Sequence, residues 1–452
     1  MPEPADGDAA PVPVSFGQAF FYWLRLGCVS FGGPAGQIAL MHEELVVRRR
    51  WISERRFLHA LNYCMVLPGP EAQQLATYIG WLMHRTWGGI VAGGLFVLPS
   101  LLLLVTLSWL YMAFGTMPLV AGLFYGIKPA VTAIVVSAAW RIGSRTLKNP
   151  WLWAIAGAAF SAIFAFKVPF PLIVLAAGIC GFIGSRLAPG VFALGGTHDR
   201  FEKSTRRALI DDDSPIAAHA RFTWRRFAAV LASGVGLWLL GMGTLAFAFG
   251  VDAAFTEMAW FFTKAALLTF GGAYAVLPYV YQGAVDQFHW LSGPQMIDGL
   301  ALGETTPGPL IMVVSFVGFV GGWGRAVFGP HALFASGAVA AVVVTAFTFL
   351  PSFVFILLGG PLVESTHDNL RFTAPLGAIT AAVVGVIVNL AVFFALHVLW
   401  PAGLSGPFDV LAALVGVAAG IGLIRYKAGV VPVVFAAGLV GIAVTLAQPA
   451  LL

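Results

Sequence analysis

The charged residues of this 452-residue chain are crowded into two short stretches, which leaves the rest of the chain almost uncharged. Eight of its 25 basic and 20 acidic residues lie between His42 and Arg56, and twelve lie between Pro189 and Arg226. Charged residues make up 10% of the sequence, against about 25% in soluble proteins. This pattern excludes a soluble enzyme, a disordered protein and a nucleic-acid-binding protein. The sequence therefore predicts an all-α polytopic membrane protein that is surrounded by the lipid bilayer.

The sequence contains two copies of one unit, so the fold is predicted to repeat. The pairs that align at a shift of 239 residues, without a gap, are Arg25 with Lys264, Phe31-Gly32-Gly33 with Phe270-Gly271-Gly272, Trp51 with Trp290, and Pro68-Gly69-Pro70 with Pro307-Gly308-Pro309. We predict five parts: an N-terminal tail (1–17), a first membrane repeat (18–187), a cytoplasmic linker that is a solvated tether (188–225), a connecting transmembrane helix (226–250) and a second, inverted membrane repeat (251–452).

The loop charges indicate that the second copy is inverted in the membrane. Loop 42–56 has five Arg residues, whereas its partner 281–295 has none. The loop with Arg141, Arg145 and Lys148 corresponds to residues 401–408, which carry no charge. Lys and Arg accumulate in cytoplasmic loops, so the basic loops and the basic linker are expected on the cytoplasmic side. They share that side only if the stretch around the first Pro-Gly-Pro is re-entrant.

Each Pro-Gly-Pro is predicted to break a helix inside the membrane. Proline has no backbone N–H, and the residue before it avoids the helical conformation. Broken backbone at this depth is tolerated only where protein buries it or where it lines a wet cavity. A proline kink in a continuous helix is the alternative. Because inverted repeats with paired broken helices are typical of secondary transporters, we predict a transporter whose site lies near the bilayer midplane.

The half-helices that begin after Pro70 and Pro309 are predicted to form an anion site. Free N–H groups and the helix dipole favour an anion at such ends, and the Gly-Gly pairs let backbone approach a ligand closely. Arg25 and Lys264 favour an oxyanion over a cation, although snorkelling to the interface is the alternative for both. The predicted substrate-binding residues are Arg25, Phe31, Gly32, Gly33, Pro68, Gly69, Pro70, Gln73, Gln74, Lys264, Thr269, Phe270, Gly271, Gly272, Thr305, Thr306, Pro307, Gly308 and Pro309.

Two carboxylates beside the breaks are candidates for coupling transport to an ion gradient. Glu71 follows the first Pro-Gly-Pro, and Glu304 precedes the second. Intramembrane carboxylates often act as proton relays, whereas the alternative for Glu71 is a helix cap. Lys128 is isolated in the sequence and is interpreted as packing near an interface.

No cofactor, metal site or catalytic residue is predicted. The three Cys residues have no CxxC spacing, and the nine His residues have no ligand spacing. The sequence contains no Walker loop and no dinucleotide-binding motif, so transport driven directly by ATP is not expected.

These motifs resemble those of the chromate transporter family of bacterial and archaeal membrane proteins, in its long two-domain form. The family marks are Phe31-Gly32-Gly33-Pro34, Arg50-Trp51 and Pro68-Gly69-Pro70, with a second set at Phe270-Gly271-Gly272, Trp290 and Pro307-Gly308-Pro309. The resemblance implies export of chromate from the cytoplasm across the inner membrane, coupled to an ion gradient. Sulfate is the look-alike oxyanion, and chromate resistance is the implied outcome.

The second copy departs from the family pattern, and the function keeps alternatives. Ala273 and His289 stand where the first copy has Pro34 and Arg50, so the first copy is expected to carry more of the binding. A carrier of sulfate or another oxyanion is one alternative, and a passive anion channel is another. An intramembrane enzyme acting on lipid phosphate belongs to a different class and would need a clustered His or Asp motif. A homodimer is the candidate assembly.

Overall fold

A computed structural model describes residues 13–31, 33–187, 208–211, 217, 219–365 and 373–447. The first copy has helices α1 (Phe16–Val29), α2 (Gly33–His42), α3 (Glu54–Val66), α4 (Glu71–Phe114), α5 (Pro118–Thr146), α6 (Pro150–Phe166) and α7 (Phe170–Leu187). Helix α8 (Trp224–Phe249) follows. The second copy has α9 (Ala254–Leu267), α10 (Ala273–Tyr281), α11 (Gly293–Thr305), α12 (Val313–Arg325), α13 (Leu333–Ser365), α14 (Thr373–Leu399), α15 (Val410–Ile424) and α16 (Val430–Ala447). The described chain is thus an all-α protein.

The backbone of the second copy repeats that of the first in its irregular details. The π-helical segments Glu43–Arg48 and Gln282–Gln287 continue α2 and α10. Left-handed backbone is uncommon for residues other than glycine, yet it recurs at equivalent positions. The matching pairs are Arg50 and His289 (φ 53° and 51°), Lys167 and Lys427 (φ 51° and 53°), and Gly69 and Gly308 (φ 131° and 110°). The two copies therefore share one backbone plan as well as their sequence motifs.

The helical segments that open each copy pair into two short hairpins, and the helices before the first long one are shorter than a membrane span. Helix α1 has 14 residues and α3 has 13, about 20 Å each, which is too short for a hydrocarbon core of about 30 Å. Helix α4 is broken at His84 and Arg85, whose backbone angles are not helical. The Phe16 and His84 rings meet at 5.6 Å, so the chain returns at His84 to the level where α1 begins. In the second copy Phe255 and Phe328 meet in the same way, also at 5.6 Å.

The longer helices form the membrane-spanning body of the protein. Six helices of the described chain are long and apolar enough to cross a membrane. They are Glu71–Phe114, Pro118–Thr146, Trp224–Phe249, Leu333–Glu364, Pro375–Leu399 and Val430–Ala447. Four shorter apolar helices accompany them: Pro150–Phe166, Phe170–Arg186, Leu310–Arg325 and Val410–Ile424. This set of spans makes the chain a polytopic membrane protein.

The described linker residues 209, 210 and 219 contact the first copy near Trp51 and Trp81. Leu209 donates its N–H to the carbonyl oxygen of Arg50 at 2.9 Å, and Ile210 donates to that of Trp51 at 3.1 Å. His219 Nε2 lies 3.0 Å from the carbonyl oxygen of Trp81. Burial lowers the pKa of His219. Because a carbonyl oxygen can only accept, the Nε2–H of His219 is the donor in this bond. The interpretation of the linker as a solvated tether is therefore wrong for these described residues, which are bonded to the first copy.

These contacts define one face of the first copy. Leu209 and Ile210 bond to Arg50, Trp51 and Ser53 there, and His219 bonds to Trp81. Helix α8 then crosses once, with 26 residues. The inversion of the second copy stays a prediction, and a single crossing by this helix is what it requires. We call the two faces the linker side and the opposite side.

The two copies pack into one body through their long helices. Helix α4 packs on α13, and α5 packs on α14 and α16. Small residues allow the closest approach: a Cβ atom on Gly126 of α5 would lie 2.7 Å from the backbone nitrogen of Gly441 on α16. Helix association inside a membrane depends on such close van der Waals packing. The packing leaves the broken helices at the interface between the copies.

Candidate functional site

Each Pro-Gly-Pro break is closed by a residue of the other copy. Gly69 donates its N–H to the carbonyl oxygen of Thr269 at 2.8 Å. Gly308 donates its N–H to the carbonyl oxygen of Ser30, also at 2.8 Å. Ser30 and Thr269 are equivalent residues, each directly before a Phe-Gly-Gly. We call the junction made by these two bonds, with the described residues of the adjoining Phe-Gly-Gly and Pro-Gly-Pro motifs and Glu71, the crossing. Gly32 lies outside the described residues.

The middle glycine of each break touches a serine of the other copy. A Cβ atom on Gly308 would lie 2.6 Å from Cβ of Ser100, and one on Gly69 would clash with Oγ of Ser352. Ser100 and Ser352 belong to the equivalent Leu-Pro-Ser motifs, and both hydroxyl oxygens are buried without a hydrogen-bond partner among the described residues. A left-handed φ and this close contact both require glycine. The crossing is therefore a tight, reciprocal backbone junction.

Two helical segments begin at the crossing with unoccupied backbone amides. Pro70 precedes α4, and Pro309 precedes the short 3₁₀ turn Leu310–Met312 that leads into α12. Neither proline supplies a side-chain cap. The first N–H groups of a helix have no partner inside the helix. Because they carry partial positive charge, these ends suit an anion.

Buried glutamines support the carbonyl groups of both breaks. Gln74 donates from Nε2 to the carbonyl oxygen of Pro68 at 2.8 Å, and Gln37 donates to that of Gly308 at 2.5 Å. Gln73 donates to Oγ1 of Thr77 at 3.0 Å. One N–H of each of the Gln73 and Gln74 amides is thus used within the protein, and the Oε1 atoms of Gln73 and Gln74 are buried without a partner among the described residues. The sequence interpretation missed Gln37, although a lone Gln in the apolar stretch after Phe-Gly-Gly is a usable signal.

The threonine hydroxyls that the second copy brings to the crossing bond to their own helices. Thr269 donates to the carbonyl oxygen of Ala265 at 2.7 Å. Thr305 and Thr306 donate to carbonyl oxygens one turn earlier, at 3.0 and 3.1 Å. In this conformation their oxygens remain as acceptors, whereas their protons are already used.

Glu71 lies against the second Gly-Gly pair. Its Oε1 would be 3.8 Å from a Cβ atom on Gly272, and Gly271 faces the hydroxyl of Thr380. The described residues give the Glu71 carboxylate no hydrogen bond, and it does not cap α4. Its side chain is half-buried. The structure therefore sets Glu71 at the junction of the two copies, beside the start of its own helix.

Glu304 belongs to a buried polar cluster that joins the copies. The Tyr274 hydroxyl donates a hydrogen bond to Oε1 of Glu304, and both side chains are buried. Arg141 of the first copy is close enough for its charge to act on both groups. Arg141 is exposed, so it connects this cluster to the surface. The sequence interpretation used Arg141 only as a determinant of topology.

Comparison with known proteins matches both copies to one family. A family model described as chromate transporter matches residues 17–182 and 256–442. The chain belongs to the chromate transporter family. A chromate transport protein of Pseudomonas aeruginosa is 35% identical over 386 residues, which cover 85% of this chain and 82% of that protein. A chromate transport protein of Cupriavidus metallidurans is 29% identical over 402 residues, 87% of each chain. No solved structure matches this chain.

One related protein is about as long as a single copy of the repeat. An uncharacterized transporter of Bacillus subtilis is 31% identical over 166 residues, which are 36% of this chain but 92% of that protein. The family model matches this chain twice, once in each copy. The Bacillus subtilis relative is about as long as a single copy.

Arg25 and Lys264 of this chromate transporter family member lie on the outward faces of α1 and α9. Arg25 is exposed and has no hydrogen bond or ion pair with the described residues, whereas Tyr22 and Leu26 fill the inner face of α1. Lys264 is half-buried, with Nζ 5.5 Å from the ring centre of Trp260. The contacts seen do not bring these two basic groups to the crossing. Their role in binding stays a prediction.

The aromatic family marks pack the loops between the hairpins. Trp51 is buried and meets the Tyr22 ring at 5.0 Å, and Arg49 lies over both rings. Trp290 stacks on Phe288 at 4.7 Å. Beside the glycines, Phe31 is exposed and Phe270 is half-buried.

Two further buried clusters bridge the copies, one on each side. On the linker side, Glu364 accepts a hydrogen bond from Tyr78 at 2.6 Å and pairs with Arg56 at 3.3 Å. On the opposite side, Asp298 accepts a hydrogen bond from Tyr111 at 2.9 Å and pairs with Lys128 at 3.6 Å. The tyrosine and the cation come from the first copy, and the carboxylate comes from the second.

Lys128 is therefore not isolated, and that interpretation of the sequence is wrong. Its partner Asp298 lies 170 positions away in the other copy, so local sequence gives no signal of the pair. A cavity of about 420 Å³ opens beside them on the opposite side. Its lining includes Tyr111, Thr116, Tyr125, Lys128, Gln295 and Asp298.

Proposed function

We propose that the protein exports chromate, a tetrahedral dianion, from the cytoplasm, and that chromate binds at the crossing. The observation that carries this proposal is the reciprocal pair of bonds from Gly69 to Thr269 and from Gly308 to Ser30. These bonds bring the starts of two helical segments to the interface between inverted copies. Chromate carries two negative charges, and helix N-termini favour anions. Relatives at 35% and 29% identity are named chromate transport proteins.

The charge distribution supports a cytoplasmic linker side in an inner membrane. Basic residues accumulate in cytoplasmic loops. The described basic residues near the linker side are Arg48, Arg49, Arg50, Arg55, Arg56, Arg85, Arg141, Arg145, Lys148, Arg186, Arg221, Arg225, Arg226, Arg425 and Lys427, whereas Lys167 and Arg325 lie near the opposite side. In this orientation a cytoplasmic anion meets a basic face first, and Arg141 leads from it to the Tyr274–Glu304 cluster.

The membrane potential favours export of a dianion. Moving one elementary charge through 100 mV is worth about 2.3 kcal/mol, so two charges leaving a negative cytoplasm gain about 4.6 kcal/mol. An added ion gradient would act through carboxylates at the crossing, for which Glu71 and Glu304 are our candidates. The binding contribution of Arg25 and Lys264 is also part of this proposal.

Sulfate is the second candidate substrate, because it has the charge and tetrahedral oxygens that the helix ends at Pro70 and Pro309 suit. A homodimeric assembly likewise stays a prediction of the sequence. The names of the relatives favour a carrier over an enzyme acting on lipid phosphate.

Radiolabelled chromate uptake into energised everted vesicles tests the proposal. The vesicle interior then corresponds to the outside of the cell, and it is positive and acidic. We expect accumulation that excess sulfate reduces. Valinomycin with potassium removes the potential, and nigericin removes the pH gradient, so the two ionophores separate potential-driven export from proton coupling. No accumulation, with the protein verified in the membrane, would refute chromate export.

A further inference from the structure

Asp298 is a buried carboxylate, and one of its two oxygens has no hydrogen-bond partner among the described residues. The residue is 3% exposed, and Oδ2 receives both the Tyr111 hydrogen bond and the Lys128 ion pair. Oδ1 is buried and has no partner, and it is the one carboxylate oxygen in this state among the described residues. The cluster on the linker side is complete, because Tyr78 and Arg56 bond to different oxygens of Glu364. The two clusters therefore differ in their capacity to accept a further ligand.

The surroundings of Asp298 select a proton as that ligand. A free acceptor oxygen in a buried site is costly, and a proton or cation would satisfy it. Lys128 lies 3.6 Å from the same carboxylate and repels a metal cation. No group of three metal-ligating side chains occurs within the described chain. The cavity of about 420 Å³ gives water a route to the cluster from the opposite side.

We propose that Asp298 binds a proton from the side opposite the linker, and that this proton frees Lys128 and opens that side of the protein. The inference rests on the proposed function for its meaning in transport: the open side is the exit for the anion. The charged and titratable groups that face Asp298 are Lys128 from α5 and Tyr111 from α4.

The chemistry follows from the loss of one charge. The Lys128 ion pair and the Tyr111 hydrogen bond are strongest while Asp298 is ionised. Both bonds join the first copy to the second. Protonation neutralises the carboxylate and weakens both bonds together. Lys128 then presents an unpaired positive charge to the cavity, which attracts an anion leaving the crossing. A low pH on the opposite side therefore favours opening.

Ser108 is a suitable reporter for this opening. It is fully buried, its hydroxyl has no partner among the described residues, and it precedes Tyr111 by one helical turn toward the midplane. We would introduce Ser108→Cys after replacing the exposed Cys28 and Cys180 by serine, with the buried Cys64 retained. Thr116→Cys, at an exposed position of the cavity lining, is the matched control. The side from which Thr116→Cys reacts with an impermeant thiol reagent defines the opposite side.

The measurement is the labelling rate at Ser108→Cys divided by that at Thr116→Cys, over a range of pH on the opposite side. The ratio removes the pH dependence of the thiol reaction itself. We expect it to rise as the pH falls. Asp298→Asn should raise it about tenfold at neutral pH and remove its pH dependence, since one charge-assisted hydrogen bond is worth at least that factor. If this labelling ratio does not change with pH while Asp298 is intact, the proposal is overturned.

Tyr111→Phe tests the same idea with a smaller change. It removes a hydrogen bond to the ionised carboxylate, so protonation becomes easier and the half-maximal pH should move up by about one unit. Tyr125→Phe is the matched control, because Tyr125 lines the same cavity but bonds to Asp409 instead. Equal shifts in both variants would contradict a role for Asp298. The labelling experiment uses no chromate. Its outcome therefore tests the role of Asp298 even if the vesicle experiment shows no chromate transport.

Discussion

Gly69 occupies a position that no larger residue can fill without moving its neighbours. Its φ of 131° is strained for any residue with a Cβ atom, and that atom would also lie 2.5 Å from Nε2 of Gln74. Gly69→Ala should therefore disturb the junction with Thr269 and reduce chromate accumulation in everted vesicles by about tenfold or more, from a strain of 1–3 kcal/mol. Gly94→Ala, with nothing within 4 Å of the added atom, should behave like the parent protein.

The same substitution in the second Pro-Gly-Pro tests whether the junction is reciprocal. Gly308→Ala should lower accumulation by a factor similar to that of Gly69→Ala, because each glycine closes one half of the crossing. Membrane levels of both variants must match the parent. Full transport in either variant, at equal protein, would remove that break from the binding site.

Arg141 gives a second prediction at the scale of the residue. Its charge reaches Tyr274 and Glu304, whereas Arg145 is exposed one turn further along α5. We expect Arg141→Gln to lower the chromate uptake rate by up to about fivefold, since the charge interaction of an exposed side chain is worth about 1 kcal/mol or less. Arg145→Gln should leave the rate nearly unchanged. Equal effects of the two substitutions would point to the general basic charge of the face instead.

Arg25 offers a separate comparison with Arg48. Arg48 pairs with Glu43 and Glu44 at 3.1 Å on an exposed surface, and such pairs contribute about 1 kcal/mol or less. If Arg25 contributes to oxyanion binding as the sequence predicts, Arg25→Gln should raise the chromate concentration needed for half-maximal uptake more than Arg48→Gln does. The reverse order would move the binding site toward the linker-side mouth.

At the scale of elements, the described linker segment 208–211 is held to the first copy like a short added strand. Ile210 donates its N–H to Trp51, and its carbonyl oxygen accepts from Ser53 at 3.0 Å. Ile210→Pro removes the donor and should lower the stability by about 1 kcal/mol, seen as a lower thermal midpoint of the purified protein. Ile210→Val keeps the donor and serves as control. Equal midpoints for the two variants would mean that this contact contributes nothing.

The elements show why sequence reasoning reached part of the fold and not all of it. The breaks at Pro68-Gly69-Pro70 and Pro307-Gly308-Pro309 were predictable, because proline acts on its own backbone and on the residue before it. The break of α4 at His84 and Arg85 was not, since neither residue type carries a local preference against the helix that is strong enough. The linker contacts also depend on tertiary pairing that composition does not reveal.

The candidate site was predictable to a similar degree. The motifs identified the glycines and prolines of the crossing, but not that Gly69 meets Thr269 and Gly308 meets Ser30, because the contacts between copies are not written in local sequence. The same limit hid the Lys128–Asp298 pair. Conversely, Arg141 looked like an ordinary loop charge, although its position near the end of α5 brings it to Glu304.

At the scale of the whole molecule, the inverted arrangement predicts opposite labelling of equivalent residues. Val47 and Asp286 are equivalent at the shift of 239 residues, and both are exposed. In a protein without Cys28 and Cys180, Val47→Cys should react with an impermeant thiol reagent from the cytoplasmic side and Asp286→Cys from the outside. Right-side-out and everted vesicles distinguish the two. Labelling of both positions from one side would refute the inversion.

The reciprocal junction also bears on how such a protein is assembled. Each copy holds one Pro-Gly-Pro and one Phe-Gly-Gly, yet the bonds that close them run from one copy to the other. A chain with a single copy would contain one Pro-Gly-Pro and one Phe-Gly-Gly, but neither motif would have the partner that closes it in the two-copy chain. It would need a second chain inserted in the opposite direction, so membrane insertion would have to yield both orientations in matched amounts. In the predicted inverted arrangement helix α8 removes that requirement, because its single crossing would turn the second copy over within one polypeptide.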